Sequence, residues 1–111
     1  MRFSACEVRI GPRAMAAERE LQPKQRKKLE WWIARLKHDA FAGDQIPKDR
    51  ISQRLASRNG LPAPVSNAWR FELPLAYRCV YSVQSAPGIG TVVLVLEILS
   101  HKDYDRLFGY R

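Results

Sequence analysis

The sequence has few of the features on which several large protein classes depend. It contains two cysteines, Cys6 and Cys79, without CxxC spacing, so neither a thiolate zinc site nor a disulfide framework is predicted. No GxxxxGK[ST] or complete GxGxxG pattern for a nucleotide phosphate is present. No apolar run approaches the roughly 18 residues of a membrane-spanning helix, and the first residues lack the apolar segment of a signal peptide. We therefore expect a cytoplasmic protein with no metal, no cofactor and no membrane contact.

Acidic residues are scarce relative to basic ones. The chain has 19 Lys and Arg against 11 Asp and Glu, which gives a formal net charge of +8. So large an excess in a small domain favours polyanionic partners, and it indicates RNA, DNA, the ribosome or an acidic protein over a neutral metabolite. The length of 111 residues predicts a single domain over residues 1–111.

The first half of the chain predicts one strand followed by two helices. Near-alternation of apolar residues indicates a strand over residues 3–10. Strong helix formers follow over residues 12–21, and a second helix begins at Pro23 and runs towards a glycine stop at Gly43. Residues spaced three or four apart form the face of this helix that meets the sheet: Leu29, Trp32, Ile33 and Leu36. Trp31 cannot share that face and is expected at the margin of the core or in contact with a partner.

The second half predicts a long basic connection and then a β-rich region. Residues 43–66 are rich in Pro, Gly and Ser, with one turn of helix near residues 51–56. Three strands follow over residues 68–73, 77–84 and 91–99. A short C-terminal helix then begins after Ser100 as its N-cap. The predicted fold is α+β, an antiparallel sheet of about four strands packed on an N-terminal helical hairpin in the order β-α-α-β-β-β.

Charged residues lie within the predicted β-hairpin of residues 67–83. If residues 74–76 form the turn, Glu72 lies opposite Arg78, one face of the hairpin is wholly apolar, and Arg70, Glu72 and Arg78 share an open face. One interpretation is a surface ion pair, worth roughly 0.2 to 1 kcal/mol. The other is part of a phosphate-cleaving site that the residues after the last strand complete. Those residues are His101 and Lys102.

The hairpin and the C-terminal segment together carry a family resemblance. The pattern "AWRFELPLAYRCVYSV", with an arginine inside "YRxVY", is followed by a hydrophobic strand and "HKDYDRLFGY". It resembles the RelE/ParE toxin superfamily of type II toxin-antitoxin systems, in particular the RelE-like branch, and the helical hairpin and "FAGDQIPK" fit the same family. The resemblance implies a ribonuclease that cuts mRNA on the ribosome, uses the 2'-hydroxyl as nucleophile without metal, and is held inactive by a cognate antitoxin.

The resemblance also implies roles for particular residues. Arg78 falls on the arginine that steadies the scissile phosphate, a task suited to a permanently charged guanidinium with two parallel donors. Arg70 falls on one of two basic positions in the preceding strand, but the second is Glu72, so Glu72 or His101 becomes the expected proton acceptor. Lys102 falls near the residue that protonates the leaving 5'-oxygen.

Further residues are expected to hold the RNA. The connection supplies Lys48, Arg50 and Arg54 as a track for phosphates. Phe108 takes the place of a C-terminal tyrosine that stacks on a base in similar toxins, and Tyr104 lies close to it in the sequence; phenylalanine keeps stacking without the hydroxyl. The alternative is a non-catalytic binding protein of the same fold, either a ParE-like DNA gyrase inhibitor or a degenerate toxin, since fold does not imply function.

Overall fold

A five-stranded sheet with helices on both faces forms the frame of the protein, and the computed structural model describes residues 6–110. The elements in chain order are β1 (Glu7–Ile10), α1 (Pro12–Glu18), α2 (Pro23–Leu36), β2 (Asp44–Gln45), a 3-10 turn (Lys48–Arg50), α3 (Gln53–Arg58), β3 (Trp69–Leu73), β4 (Tyr77–Ala86), β5 (Gly90–Ser100) and α4 (His101–Phe108). The strands lie in the order β1-β5-β4-β3-β2. None of the helices within residues 6–110 has the length and apolar character needed to cross a membrane.

The α+β class is confirmed, and two details of the sheet differ from the prediction. A two-residue strand, β2, pairs with β3 inside the segment expected to be a connection. β1 runs parallel to β5, whereas the other neighbours are antiparallel. Parallel pairing needs a long connection between the two strands, and the elements between β1 and β5 supply it. The expected start of the first strand, residues 3–5, lies outside the described residues, and α2 ends at Leu36 instead of continuing to Gly43.

The first face of the sheet carries the core that α1 and α2 cover. Trp32 of α2 stacks on Phe71 of β3 with ring centroids 4.6 Å apart, whereas Trp31 is exposed, as the helical spacing predicted. The buried side chain of Gln25 caps the start of α2 by accepting from Gln22 N–H at 2.8 Å, and its amide donates to the Pro74 carbonyl at 2.9 Å. Helix α2 is thereby fastened to the turn of the β3–β4 hairpin.

The second face of the sheet is also covered, which corrects the expectation of an open surface there. Helices α3 and α4 place apolar side chains over it, because each has an apolar side that must be buried. The residues that form this second core are Ile46, Leu55, Ala56, Val65, Ala68, Val80, Leu96, Leu99, Tyr104, Leu107 and Phe108. The charged residues of the hairpin therefore lie at the border of a packed layer, beside α4.

The hairpin has the register that the sequence predicted. Glu72 pairs with Arg78 and Phe71 with Cys79, while residues 74–76 form the turn. Leu75 and Ala76 adopt left-handed conformations, with φ of 66° and 58°. The carbonyl oxygen of Ala76 accepts a hydrogen bond from the backbone N–H of His101 at 2.7 Å. This contact holds the first residue of α4 beside the hairpin.

Candidate nucleic-acid interface

Two arginines of the hairpin approach the same carboxylate oxygen. Glu72 Oε2 lies 3.1 Å from Arg78 Nε and 3.4 Å from Arg70 Nη1. Strand alternation brings Arg70 and Glu72 to one face of β3, and the antiparallel register sets Arg78 across from Glu72 on β4. Arg78 Nε is buried and has no hydrogen-bond partner within residues 6–110, so its contact with Glu72 is an ion pair without hydrogen-bond geometry. The two guanidinium groups converge on one acceptor position.

Helix α4 supplies the second side of the site. Ser100 caps the helix by accepting from Asp103 N–H at 3.2 Å, and the first turn begins directly at His101. One helical turn further, Asp105 lies 3.6 Å from His101 Nε2 and 3.9 Å from Arg78 Nη1. The helix therefore brings an imidazole and a carboxylate to the arginines, because residues four apart share one side of a helix.

Aromatic rings pack against the guanidinium groups of the two arginines. The Tyr104 ring centroid lies 4.6 Å from Arg78 Cζ and 5.6 Å from Arg70 Cζ, within the range of cation–π contact. Tyr104 stacks on Tyr110 with ring centroids 6.0 Å apart, and Arg50 Cζ lies 4.4 Å from the Tyr110 ring centroid. Burial raises the pKa of the Tyr104 hydroxyl above its ordinary value, although the Arg70 guanidinium acts in the opposite direction. The phenol is therefore held neutral beneath the charged groups.

These groups border a shallow cavity of about 320 Å³ that is open to solvent. Its lining residues are Arg70, Arg78, His101, Tyr104, Asp105 and Tyr110. Guanidinium groups with free N–H donors bind phosphate or carboxylate, while an imidazole near neutral pH accepts or donates a proton. The combination can hold an anionic oxygen and move a proton beside it.

The structure brings together only some of the residues expected at this site. Arg70, Glu72, Arg78, His101 and Tyr104 converge, and Arg50 reaches the C-terminal end of α4. Six of the expected residues do not line the cavity. Glu72 pairs with its arginines from the side, Arg50 contacts Tyr110, and Phe108 is buried. The other three lie apart from the cavity: Lys102, which is exposed on α4, Lys48, which lines a separate depression near Trp69, and Arg54, which is exposed on α3.

The two aromatic residues of α4 expected to bind RNA are both buried. Phe108 is 2% exposed and packs against Tyr104 with ring centroids 4.7 Å apart. Tyr104 is 1% exposed and forms the floor of the cavity under the arginines. The expectation that Phe108 offers its ring at the surface is therefore corrected, because the apolar side of α4 turns it into the second core. At this end of the helix Tyr110 borders the cavity instead.

Sequence reasoning missed Asp105 and did not select Tyr110. The signal for Asp105 was present, since a histidine and a carboxylate four residues apart on a predicted helix share one side of it. Tyr110 lies after the helix, where Gly109 adopts a left-handed conformation with φ of 76°. That turn directs the chain back so that Tyr110 N–H donates to the Asp105 carbonyl at 2.8 Å.

Comparison with known proteins identifies the fold. No protein-family model and no curated protein sequence matches the chain. The fold is similar to the solved structure of a mutant of the E. coli toxin RelE in the free state. The TM-score is 0.56 at 17% sequence identity, over 95% of this chain and 92% of that chain. The protein has a RelE-like fold. The resemblance seen in the hairpin and the C-terminal segment is thus confirmed at the level of the fold.

Proposed function

We propose that the protein is a toxin of a type II toxin-antitoxin system and cuts mRNA on the ribosome as an endoribonuclease. The observation that carries the proposal is the convergence of Arg70 and Arg78 on one acceptor position, at 3.4 and 3.1 Å from Glu72 Oε2. Two guanidinium groups around one oxygen suit a phosphate whose charge grows in a transition state. The RelE-like fold and the net charge of +8 support an RNA substrate.

Arg78 takes the phosphate-binding role in this proposal. Its side chain is 18% exposed and its guanidinium rests on Tyr104, so it is pre-oriented towards the cavity. Its buried Nε has no hydrogen-bond acceptor within the described residues, so this donor is free for an acceptor that enters the cavity. Arg70, whose guanidinium converges on the same acceptor position, is the second donor to that phosphate oxygen and holds the RNA.

His101 is the preferred proton acceptor, and Glu72 is the other candidate. The imidazole is half-exposed at the cavity and has the Asp105 carboxylate 3.6 Å away to orient it. Glu72, by contrast, is already engaged by two guanidinium groups. A base of this kind contributes about 10² to 10⁴ in rate.

The proposed reaction is an intramolecular transesterification at the scissile phosphate. His101 takes the proton of the RNA 2'-hydroxyl, the 2'-oxygen forms a bond to phosphorus, and the bond from phosphorus to the 5'-oxygen breaks. The products are a 2',3'-cyclic phosphate and a 5'-hydroxyl. Lys102, exposed one residue after His101, donates the proton to the leaving 5'-oxygen once RNA extends past the margin of the cavity.

Primer extension on mRNA from translating ribosomes tests the activity. The wild type is expected to produce cuts, and Arg78→Ala is expected to reduce them by about 10² or more, as loss of one preorganised donor does. Arg106→Ala is the matched control, because Arg106 is an arginine of α4 that lies outside the cavity, in an exposed pair with Asp103. Intact mRNA in cells whose growth the wild type arrests would reject the nuclease.

A second candidate is a binding protein of the same fold without catalysis, such as a DNA gyrase inhibitor. The observation in its favour is that Arg78 already has the carboxylates of Glu72 and Asp105 at 3.1 and 3.9 Å. These pairs give Arg78 a structural role, which is to link β3 and α4, and that role needs no ligand. Altered DNA supercoiling together with uncut mRNA would support this candidate.

A cognate antitoxin is part of the proposed system. The excess of basic residues suits an acidic partner protein, and partners that neutralise a charged surface associate quickly. Co-expression of the acidic, helix-rich product of an adjacent small gene is expected to relieve growth arrest and to co-purify with the protein. Growth arrest that persists in its presence would count against this partner.

A further inference from the structure

Glu72 occupies the position that an anionic ligand needs. Its Oε2 atom lies between the guanidinium groups of Arg70 and Arg78, at 3.4 and 3.1 Å. Carboxylate and phosphate oxygens compete for the same N–H donors of arginine. We propose that Glu72 is a built-in competitor of the ligand, so that an RNA phosphate enters the site only by displacing the Glu72 carboxylate. The ligand class rests on the proposed function, and the proposal adds how access to that site is regulated.

The arrangement allows Glu72 to move while the arginines stay. The Glu72 side chain is 60% exposed, against 18% for Arg78 and 29% for Arg70. Both guanidinium groups also rest on the buried Tyr104 ring, which keeps them in place when the carboxylate leaves. Exposed ion pairs are weak, so a phosphate displaces this one at low cost. Rotation of one exposed side chain is sufficient to open the acceptor position.

Asp105 differs from Glu72 in this respect. Its side chain is 22% exposed, and its two oxygens face different partners, Arg78 Nη1 at 3.9 Å and His101 Nε2 at 3.6 Å. Asp105 lies on α4, whose first residue is hydrogen-bonded to the hairpin turn. Asp105 therefore remains as a fixed counter-charge, and Glu72 is the exchangeable one.

Titration calorimetry with a short RNA methylated at every 2'-oxygen tests the competition. This probe keeps the phosphates and removes the nucleophile, so binding is measured without cleavage. Glu72→Gln is expected to lower the Kd about two- to five-fold, the range that follows from the strength of an exposed ion pair. Arg78→Ala is expected to weaken binding.

Asp103→Asn is the matched control for net charge. It also removes one negative charge from an exposed position near the site, but Asp103 pairs with Arg106 at 3.3 Å, whereas Glu72 pairs with the two arginines of the cavity. Salt screens the interaction between such an exposed charge and the RNA phosphates, so the Kd of Asp103→Asn for the RNA is expected to change by less than about 1.5-fold. An equal gain in both variants would show a general charge effect and overturn the proposal, as would unchanged or weaker binding by Glu72→Gln.

Cleavage assays keep this proposal separate from the nuclease proposal. Tighter RNA binding by Glu72→Gln, with no mRNA cut by the wild type, supports the competition and rejects the nuclease. Cleavage by the wild type, with unchanged affinity in Glu72→Gln, rejects the competition alone. If Glu72→Gln abolishes cleavage at unchanged affinity, Glu72 is the proton acceptor and the competition is again rejected.

Discussion

Arg50 donates a hydrogen bond from Nη1 to the carbonyl oxygen of Gly109 at 2.8 Å, across 59 positions of the chain. Its guanidinium also lies 4.4 Å from the ring centroid of Tyr110. Arg50 belongs to the 3-10 turn between β2 and α3, whereas Gly109 ends α4. The contact thus fastens the C-terminal turn to the connection and holds Tyr110 against Tyr104 behind the two arginines of the cavity.

Arg50→Ala is expected to loosen this end of the protein. The loss of one exposed charged hydrogen bond and one cation–π contact should lower the free energy of unfolding by about 1 kcal/mol in urea denaturation. The amide of Tyr110, which donates to the Asp105 carbonyl, should exchange with solvent faster by NMR.

Arg54→Ala is the control for the Arg50 experiment. Arg54 lies on α3 in the same connection and is also exposed, but its side chain makes no hydrogen bond, ion pair or cation–π contact within residues 6–110. Its removal should change the free energy of unfolding by less than about 0.5 kcal/mol. Equal effects of the two substitutions on Tyr110 exchange would contradict the positioning role of Arg50.

Glu97 is a buried carboxylate that joins three parts of the fold. It is 2% exposed on β5, where a bulge beside Val80 and Tyr81 turns it towards α3. Its oxygens lie 3.1 Å from Arg58 Nε and 3.2 Å from Arg13 Nε, and Asn59 donates to it at 2.8 Å. The network connects the start of α1, the end of α3 and the centre of the sheet.

Removal of the Glu97 carboxylate is expected to destabilise the protein strongly. Glu97→Ala leaves Arg58 without its carboxylate partner, removes one of the two acceptors of Asn59 and should cost about 3 kcal/mol in urea denaturation. Glu97→Gln keeps an acceptor for Asn59 and should cost less. Glu7→Ala is the comparison, because Glu7 makes an exposed pair with Arg9 worth at most about 1 kcal/mol. A small effect of Glu97→Ala would mean that the buried network is dispensable.

The hairpin was predictable because its pattern is local. Alternation of apolar and charged residues on both sides of the turn determines the register, and the pairing of Glu72 with Arg78 follows from it. The first core was predictable for a similar reason, since helical spacing separates Trp32 from Trp31. In each case one short segment contains all the information that the prediction needs.

The cover of the second face was not predictable in this way. The turn of helix predicted near residues 51–56 is present as α3, Gln53–Arg58, but so short a helix has too little periodicity to show which face of the sheet it covers. The burial of Phe108 depends on how α4 folds back over the sheet, where Val80, Leu96 and Leu99 belong to the same core. The bulge that reorients Glu97 leaves no mark in the composition of β5. Long-range packing decided these features, whereas local patterns decided the hairpin.

The two adjacent tryptophans of α2 are expected to respond differently to truncation. Trp32→Ala removes a half-buried ring stacked on Phe71 and should cost about 3 kcal/mol, the lower end of the range for buried aromatic residues, in urea denaturation. Trp31 is 51% exposed and contacts Lys28, with Nζ 4.1 Å from the ring centroid. Trp31→Ala should therefore cost no more than about 1 kcal/mol. Similar losses from both substitutions would contradict the assignment of Trp32 alone to the core.

Tyr81 makes the stability of the protein depend on pH in the alkaline range. Its hydroxyl is buried and accepts a hydrogen bond from Gly43 N–H at 2.9 Å. Burial raises the pKa of Tyr81 to about 12, whereas the ordinary value in an unfolded chain is about 10. Between these values the unfolded state releases the proton and the folded state keeps it. The free energy of unfolding contributed by this group is therefore present below pH ~10 and is lost as the pH rises towards 12.

Tyr81→Phe is expected to separate the hydrogen bond from the titration. At pH 8 the variant should be less stable than the wild type by about 1 kcal/mol, because Gly43 N–H loses its acceptor. Above pH ~10 the wild type loses stability, whereas the variant has no phenol proton to release at this position. The difference in the free energy of unfolding between the two proteins should therefore shrink, by up to about 1.4 kcal/mol for each unit between the folded and unfolded pKa of Tyr81. Ile98→Val is the control, since it costs a similar ~1 kcal/mol without a titrating group. Its difference from the wild type should stay constant with pH in urea denaturation, and a constant difference for Tyr81→Phe as well would contradict the raised pKa.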